Sequence, residues 1–423
     1  MMRPGAVLFE DPHVFITVCS TAGQAKFGKH IISLDRRLEL NWTNFQDFRN
    51  GDIIGVFDFD VNKDLREKDK GKSIVELAKE SAAVTGQRGC YKTSVRYERR
   101  PLCAKDRSLG YWVAYLRFQT GSWVVVKSNF LKVRPLWMRE LKNIIGDIPL
   151  HSLMIPGSHD AGSWMEYDHG TCENIYVRYY ICQEDSIYDQ LIHGIRYLDV
   201  RVAFYPETEE RFWVNHDKYR VHPLLTLLTD VRRFVEETKE IIFLDFHSFP
   251  IGFSGPEIHE ELIKFVMSQI GKHLVPTSYP TSVTTNMLWK ANKNIIWTYA
   301  EDSFASQDDN KCLWPYLLHA WGNKRKPEHL EKYMDEAIQK HGGQGIFYSL
   351  MAELTPKPID YISKPRFGLR GFAELVNLPL TYWFQSKEWY SKCNIVSTDF
   401  HLGNNIIEMA IDVNTHKVLP SLC

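Results

Sequence analysis

Seven short apolar runs recur through the C-terminal two-thirds of the chain, and each leads to a titratable side chain. Leu150, Leu153, Met154 and Ile155 lead into His159 and Asp160, Gly194–Arg201 ends in Asp199 and Arg201, and Phe212–His216 ends in His216. Glu240–His247, Asn294–Glu301, Gly345–Glu353 and Asn394–Asp399 repeat the arrangement. Six of the seven are rich in Ile, Val or Phe, which suits parallel strands buried on both faces. Between them lie helical patterns. In Pro223–Lys239, Leu224, Leu227, Leu228, Val231, Phe234 and Val235 recur at three- and four-residue spacings, as in a helix with one buried face. Strand alternating with helix predicts an α/β fold with right-handed crossovers. An open doubly wound sheet satisfies that alternation, but polar groups at the ends of all seven strands favour an irregular TIM-like (β/α) barrel with one mouth.

Residues 1–135 differ in kind. His13–Cys19, Gly51–Phe57, Lys92–Tyr97, Gly110–Phe118 and Ser122–Lys127 are short runs separated by turn residues, which predicts an antiparallel β-sandwich. Trp112, Ala114, Leu116 and Phe118 alternate onto one face, and Ser73–Ala83 reads as a helical insertion. The division expected is an accessory domain over 1–135 and a barrel over 136–423. Leu38–Trp42, Gly51–Gly55 and Gly110–Tyr115 together resemble the immunoglobulin-like SKICH module. With no catalytic constellation in this part, its expected role is orientation or binding of a protein partner.

Composition narrows the classes of function. The chain has 423 residues, enough for two cores, and 51 basic side chains against 52 acidic ones. That balance, without a basic tract, argues against nucleic acid. No window reaches the roughly 18 apolar residues of a membrane span, so contact with a membrane is expected to be peripheral. Glu10, Asp11 and His13 interrupt the start of the chain, so a cytoplasmic location is expected. The glycosylation triplet Asn41-Trp42-Thr43 and eight cysteines without CxxC spacing leave secretion open. In an oxidising compartment Cys172 and Cys182 are candidates for a bridge.

The segment Ile155-Pro-Gly-Ser-His-Asp-Ala-Gly-Ser163 sets His159 and Asp160 between glycines after an apolar run, which predicts a tight turn presenting both groups. A capped turn without chemistry fits that segment alone equally well. The order of motifs decides between them. Trp137-Met138, Ile155–Asp160, Gly194–Arg201, the His216 strand and Ser397-Thr-Asp399-Phe400 resemble, over about residues 136 to 415, phosphatidylinositol-specific phospholipase C X domains. The likeness is to eukaryotic X-domain-containing proteins without regulatory modules and to the bacterial secreted enzymes. It implies His159 as general base supported by Asp399, His216 as general acid supported by Asp160, and Arg201 on the phosphoryl oxygens. The chemistry is coherent without the name, because cleaving a phosphodiester through an internal hydroxyl needs a base, an acid and a cation.

The resemblance also bears on metal. Calcium-requiring relatives carry an amide after the first histidine and an acid at the Arg201 position, both oxygen ligands for a hard cation. Here Asp160 and Arg201 stand there and Phe246 lies near another ligand position, so no metal and no cofactor is expected. Asp58–Asp64 has the odd-position carboxylates of a calcium loop but lacks its glycine and terminal glutamate, and reads as a solvated turn. Asp217 follows His216 where relatives have glycine, and His222 is a nearby competitor for the acid. The headgroup lysine of bacterial enzymes has no counterpart; Asp245 and His247 occupy that region. Glu353, Thr355 and Tyr299 are candidates for an inositol site, or polar strand ends satisfied by neighbouring backbone.

The loops Phe249-Pro-Ile-Gly-Phe253, Trp314–Leu318 and Trp321–Lys326 combine aromatic or apolar residues with cations and are expected at a lipid interface, or as lid packing. The expected activity is cleavage of phosphatidylinositol, or a glycosylated relative, to diacylglycerol and a cyclic inositol phosphate. The alternative is a non-catalytic inositol-lipid-binding or adaptor protein that keeps the fold. Glycerophosphodiesterases are disfavoured because no His-Arg-Gly turn is present.

Overall fold

The computed structural model describes residues 9–21, 36–63, 74–165, 175–305 and 311–417. The N-terminal part forms two antiparallel sheets. One contains β1 (His13–Val18), β2 (Arg37–Thr43) and, after the other sheet's first strands, β5 (Gly89–Arg96). The other runs in the order β4 (Glu80–Ala83), β3 (Ile53–Phe57), β6 (Ser108–Gln119) and β7 (Ser122–Lys132). The alternation of β6 does not separate core from solvent. Val113 and Tyr115 enter the large core shared with β1 and β2, while Ala114 and Leu116 pack with Phe57, Phe59 and Ile74. Phe118, expected on the buried face, is 57% exposed at the strand's end. The helical insertion is a single turn, Ile74–Leu77, before β4.

The rest of the chain builds a curled parallel sheet. Its strands are β8 (Ile155–Ser158), β9 (Tyr197–Phe204), the hairpin β10 (Phe212–His216) and β11 (Tyr219–Pro223), β12 (Ile242–Ser248) and β13 (Ile295–Tyr299). They are followed by β14 (Leu313–Trp314), β15 (Leu318–Ala320), β16 (Tyr348–Met351) and β17 (Ile395–Thr398). The parallel order is β14-β13-β12-β9-β8-β17-β16-β15. Phe212–His216, expected as a parallel strand, instead pairs antiparallel with β9. The reason is local: few residues separate β9 from β10, too few for the crossover a parallel neighbour needs. Among the described strands, no pairing joins β15 back to β14. The sheet nevertheless curls far enough for the Tyr197 hydroxyl on β9 to meet His319 Nε2 on β15 at 2.7 Å.

The interior of this curl is polar and narrow. Ser349 and Ser397 share a hydrogen bond of 2.7 Å, and Thr298 donates to Asp245 at 2.6 Å. A Cβ at Gly157 would lie 2.7 Å from Ser397 Oγ and 2.8 Å from Tyr197 Cδ1, so glycine is what admits the packing of β8 against β9 and β17. The outer faces carry the apolar cores, where Leu224, Leu227, Leu228, Val231, Phe234 and Val235 of the helix Leu224–Thr238 are all buried. One continuous apolar cluster runs from Val14 and Leu38 in the N-terminal sheets to Ile187, Val214 and Leu402 in the barrel. Lys132 and Arg134 both hold Glu408, at 2.7 and 2.6 Å.

Under the barrel sits a fully buried ion pair. Arg196 Nη2 and Nε donate to Glu240 at 2.7 and 2.9 Å, and the remaining guanidinium donors reach the carbonyls of Arg134, Pro135, Leu191 and Ile195. Glu240 also accepts from the backbone of Met138 and Arg139. Removing the carboxylate would leave a buried cation unbalanced. Glu240→Ala is therefore expected to destabilise the protein by about 3–5 kcal/mol, measured by denaturant unfolding. A change below about 1 kcal/mol would show that water or another acid compensates the charge.

Candidate active site

His159 and Asp160 sit where β8 ends. The chain turns sharply there because Asp160 takes φ +41, a left-handed conformation that aspartate tolerates better than branched residues. The Asp160 N–H donates to Asp199 Oδ2 at 3.0 Å, and the His159 N–H donates to the Thr398 carbonyl at 3.1 Å. These bonds tie the turn to β9 and β17. From β17 comes Asp399, whose Oδ1 accepts from His159 Nδ1 at 2.8 Å. That bond leaves Nε2 as the functional nitrogen.

Arg201 lies across the mouth from the end of β9. Its Nη2 is 2.9 Å from His159 Nε2 and 3.7 Å from Asp199 Oδ2, and its Nη1 is 3.4 Å from Asp160 Oδ2. His216, on the β10 hairpin, is 3.3 Å from the same Asp160 oxygen. Its Nδ1 donates to the Tyr180 carbonyl at 2.6 Å, and the Cys182 sulfur lies 3.7 Å away. One carboxylate, Asp160, thus touches both Arg201 and His216. His159, Asp160, Asp199 and Asp399 are buried and Arg201 is largely so.

The charges are strongly coupled. Burial alone would lower the His159 pKa, but the charge and hydrogen bond of Asp399 outweigh it and raise it to about 9. The 2.9 Å approach of Arg201 to Nε2 is a hydrogen bond only when Nε2 is unprotonated. The contact geometry therefore describes neutral His159, and protonation must displace Arg201. Burial, then the charge of Arg201, lower His216 to about 4. Burial pushes Asp160 upward against Arg201, and the same guanidinium holds Asp199 well below the usual carboxylate range despite its burial.

The second wall of the mouth is built from β12, β15 and β16. Asp245 accepts from the Tyr197 hydroxyl at 2.6 Å and lies 2.7 Å from His319 Nε2. His247 stacks on His319. Glu353 accepts from Trp321 Nε1 at 2.7 Å and from Thr355. Burial raises its pKa, with His159 opposing. Sequence reasoning missed His319 because Trp314–Leu318 reads as a loop, and missed Asp199 and Tyr197 as partners because inward-facing positions of β9 are known only once its neighbours are.

Three expectations are corrected. Tyr299 does not line the mouth: Thr298 points inward to Asp245, so Tyr299 points outward, where its hydroxyl meets His259 Nδ1 at 2.7 Å among Phe249 and Trp297. Trp314 is a core residue of β14, donating to the Val275 carbonyl at 2.9 Å. Phe249 and Phe253 pack on each other and on His259, because Ile251 accepts from the Phe204 N–H and folds the loop back onto the hairpin. Trp321, by contrast, is 50% exposed beside Glu353. His222 stacks on Trp164 and bonds to its carbonyl, apart from Arg201's contacts. Cys172 and Asp64 lie outside the described residues.

The curled parallel sheet with helices on its outer face is the architecture of a TIM-like barrel. No family model matches the chain. It is 26% identical over 305 residues to PI-PLC X domain-containing protein 1 of Danio rerio, covering 66% of this chain and 96% of that protein. Among solved structures it resembles phosphatidylinositol-specific phospholipase C of S. aureus, with TM-score 0.52 and 14% identity over 67% of this chain and 98% of that one. The enzyme from Listeria monocytogenes gives TM-score 0.51 and 15% identity over 67% and 99%. The chain is thus related to the PI-PLC X domain-containing proteins, and its barrel has the fold of the bacterial enzymes.

The raised His159 pKa has a signed consequence. A histidine that binds its proton more tightly when folded adds stability that is complete below its unfolded pKa near 6.5 and is lost as pH rises through about 9. Asp399→Asn should therefore lower the melting temperature most below pH 6.5, with the difference from wild type shrinking toward pH 9. A difference that stays constant from pH 6 to about 10 would contradict the coupling.

Proposed function

We propose that the chain cleaves phosphatidylinositol or a related glycosylphosphatidylinositol lipid. The observation that carries this reading is that Arg201 meets His159 directly and meets His216 through the shared carboxylate of Asp160, each imidazole oriented by its own acceptor at Nδ1. A phosphodiester anion entering the mouth draws Arg201 from His159 Nε2 onto its non-bridging oxygens. In the neutral form of His159, which the Arg201 contact requires and which Asp399 makes the minor form below about pH 9, the freed Nε2 takes the proton of the neighbouring inositol hydroxyl, whose oxygen attacks phosphorus. The bond to the diacylglycerol oxygen breaks and His216 protonates that oxygen, giving diacylglycerol and a cyclic inositol phosphate. In the free protein His216 is neutral near pH 7. Burial is the larger cause of that low affinity for a proton, and a bound phosphate offsets the second, the charge of Arg201. Asp245, His247 and Glu353 face the inositol ring, with His319 added to that set.

The buried guanidinium stands where a hard cation would need acidic ligands, so the reaction is read as calcium-independent. Membrane contact is assigned to the helix Pro358–Ser363, which leaves the Glu353 rim with Ile359 56% and Ile362 80% exposed. Among the described residues no helix is long and apolar enough to cross a membrane, and a peripheral, cytoplasmic protein fits this reading. Residues 1–135 are assigned as an accessory unit and 136–423 as the barrel.

His159→Ala and His216→Ala are each expected to lower turnover of phosphatidylinositol vesicles by at least about a hundredfold with folding intact, followed by phosphorus NMR of the soluble product. His222→Ala should retain activity; loss there and retention in His216→Ala would move the acid to His222. Vesicle binding without turnover by the wild type would favour the lipid-binding alternative.

Replacing Ile359 and Ile362 together by Asp should abolish binding to phosphatidylinositol vesicles and spare hydrolysis of a soluble short-chain substrate. Added calcium should leave both rates unchanged. Loss of the soluble-substrate rate in the double variant would place the helix in the catalytic structure instead.

A further inference from the structure

A second cluster of titratable groups lies outside the mouth, where the N-terminal sheets meet the barrel. His193 ends the helix Ile187–His193, His401 follows Asp399 by two residues, and Asp185 precedes that helix's N-cap Ser186. All three are at least nine-tenths buried: His193 is 1%, His401 2% and Asp185 3% exposed. Asp185 Oδ2 is 3.9 Å from His193 Nε2 and 3.6 Å from His401 Nε2. Among the described residues neither imidazole has a hydrogen-bond partner at either ring nitrogen. Buried ring nitrogens without partners are costly and rare. Both rings also border a cavity of about 40 Å³ lined by Phe15, Ile16, Asn129 and Leu131, large enough for a solvent molecule.

We infer that Asp185, His193 and His401 bind a divalent transition-metal ion of the zinc type, with solvent in the cavity as its fourth ligand. The three ligand atoms lie within 4.8 Å of one another. Bonds of about 2.0–2.1 Å in a tetrahedral site place ligand atoms about 3.4 Å apart, so the two separations from Asp185, 3.6 and 3.9 Å, need a few tenths of an ångström of closure, and the two imidazole nitrogens, within 4.8 Å of each other, must close by up to about 1.4 Å. Two imidazoles and one carboxylate suit zinc and exclude calcium or magnesium, which prefer oxygen. The neighbouring cations have other acids to meet. Arg36 pairs with Glu184 at 2.5 Å, and Arg99 pairs with Asp189 at 2.7 Å while reaching only Oδ1 of Asp185 at 3.6 Å. The ion would fix the segment that carries Asp399 and is a structural site, separate from the phosphodiester reaction.

The test is the zinc content of the full-length, untagged protein after equilibration with zinc chloride and desalting. One zinc per chain is expected in wild type and in His319→Gln, and its loss in His401→Gln and Asp185→Asn. His319→Gln is the control because Asp245, His247 and His319 form another possible metal cluster. Zinc should also raise the melting temperature of wild type and leave that of His401→Gln unchanged. Should the variants fold poorly, cobalt substituted into wild type gives the visible band of a tetrahedral nitrogen and oxygen site. No zinc and no cobalt band in wild type, zinc retained by folded His401→Gln, or zinc lost in His319→Gln alone would each overturn the assignment.

Discussion

The constraint on which the mouth depends is the neutralisation of one largely buried guanidinium. Arg201 cannot be sequestered unless carboxylates accompany it, and Asp160 and Asp199 are within 3.4 and 3.7 Å. Those acids in turn are tolerable only beside a cation. Asp160 then has a free edge toward His216, and Arg201 a free edge toward His159, so the requirement to balance charge also places both imidazoles. The same network explains why the two histidines differ. His159 has a carboxylate on Nδ1 and gains affinity for its proton, whereas His216 has a backbone carbonyl there and feels chiefly burial and Arg201.

Much of the fold is legible because parallel strands buried on both faces leave uninterrupted apolar runs. Ile242–Ser248 and Ile295–Tyr299 are read directly for that reason. The His216 strand is not, since a short apolar run looks the same whether its neighbour is parallel or antiparallel, and only the length of the connection separates the cases. The site follows the same division. His159, Asp160, Arg201, His216 and Asp399 stand beside glycines or at run ends, and the structure brings them together. Tyr299 illustrates the failure: it ends its strand, whereas Glu353 lies two residues beyond the end of β16, and the pleat sends Tyr299 to the helix side. A one-residue change of phase decides the face, and a run as short and as apolar as Ile-Ile-Trp-Thr-Tyr encodes that phase only weakly.

The aromatic loops fail for a related reason. Phe249, Phe253 and Trp314 suit a membrane interface by composition, yet Phe249 and Phe253 fill the space between the hairpin and the helix Pro256–Ile270, and Trp314 packs into another core with Val275 and Phe347. What remains exposed at the rim includes Trp321 and, most of all, Ile359 and Ile362, whose helix is short and whose charged neighbour Asp360 is occupied by Arg325. Composition identifies residues able to meet lipid; exposure identifies those still available.

The junction with the N-terminal sheets bears directly on the reacting groups. Asp399, Phe400 and His401 form one short segment at the end of β17. Phe400 is held at φ +47, a left-handed conformation that costs a bulky residue about 1–3 kcal/mol. It is held there by Asn377, whose amide donates to the carbonyls of Asp399 and Phe400 and to the Ser20 hydroxyl after β1. Arg370 lies over the Phe400 ring. The aspartate that orients His159 is therefore fixed by contacts that include the N-terminal part of the chain. An accessory unit that merely hung from the barrel would share no core with it, but here the apolar cluster is continuous from Val14 to Leu402. The N-terminal sheets thus act as a buttress for the Asp399 segment, and the position of the His159 imidazole rests on them through direct contacts.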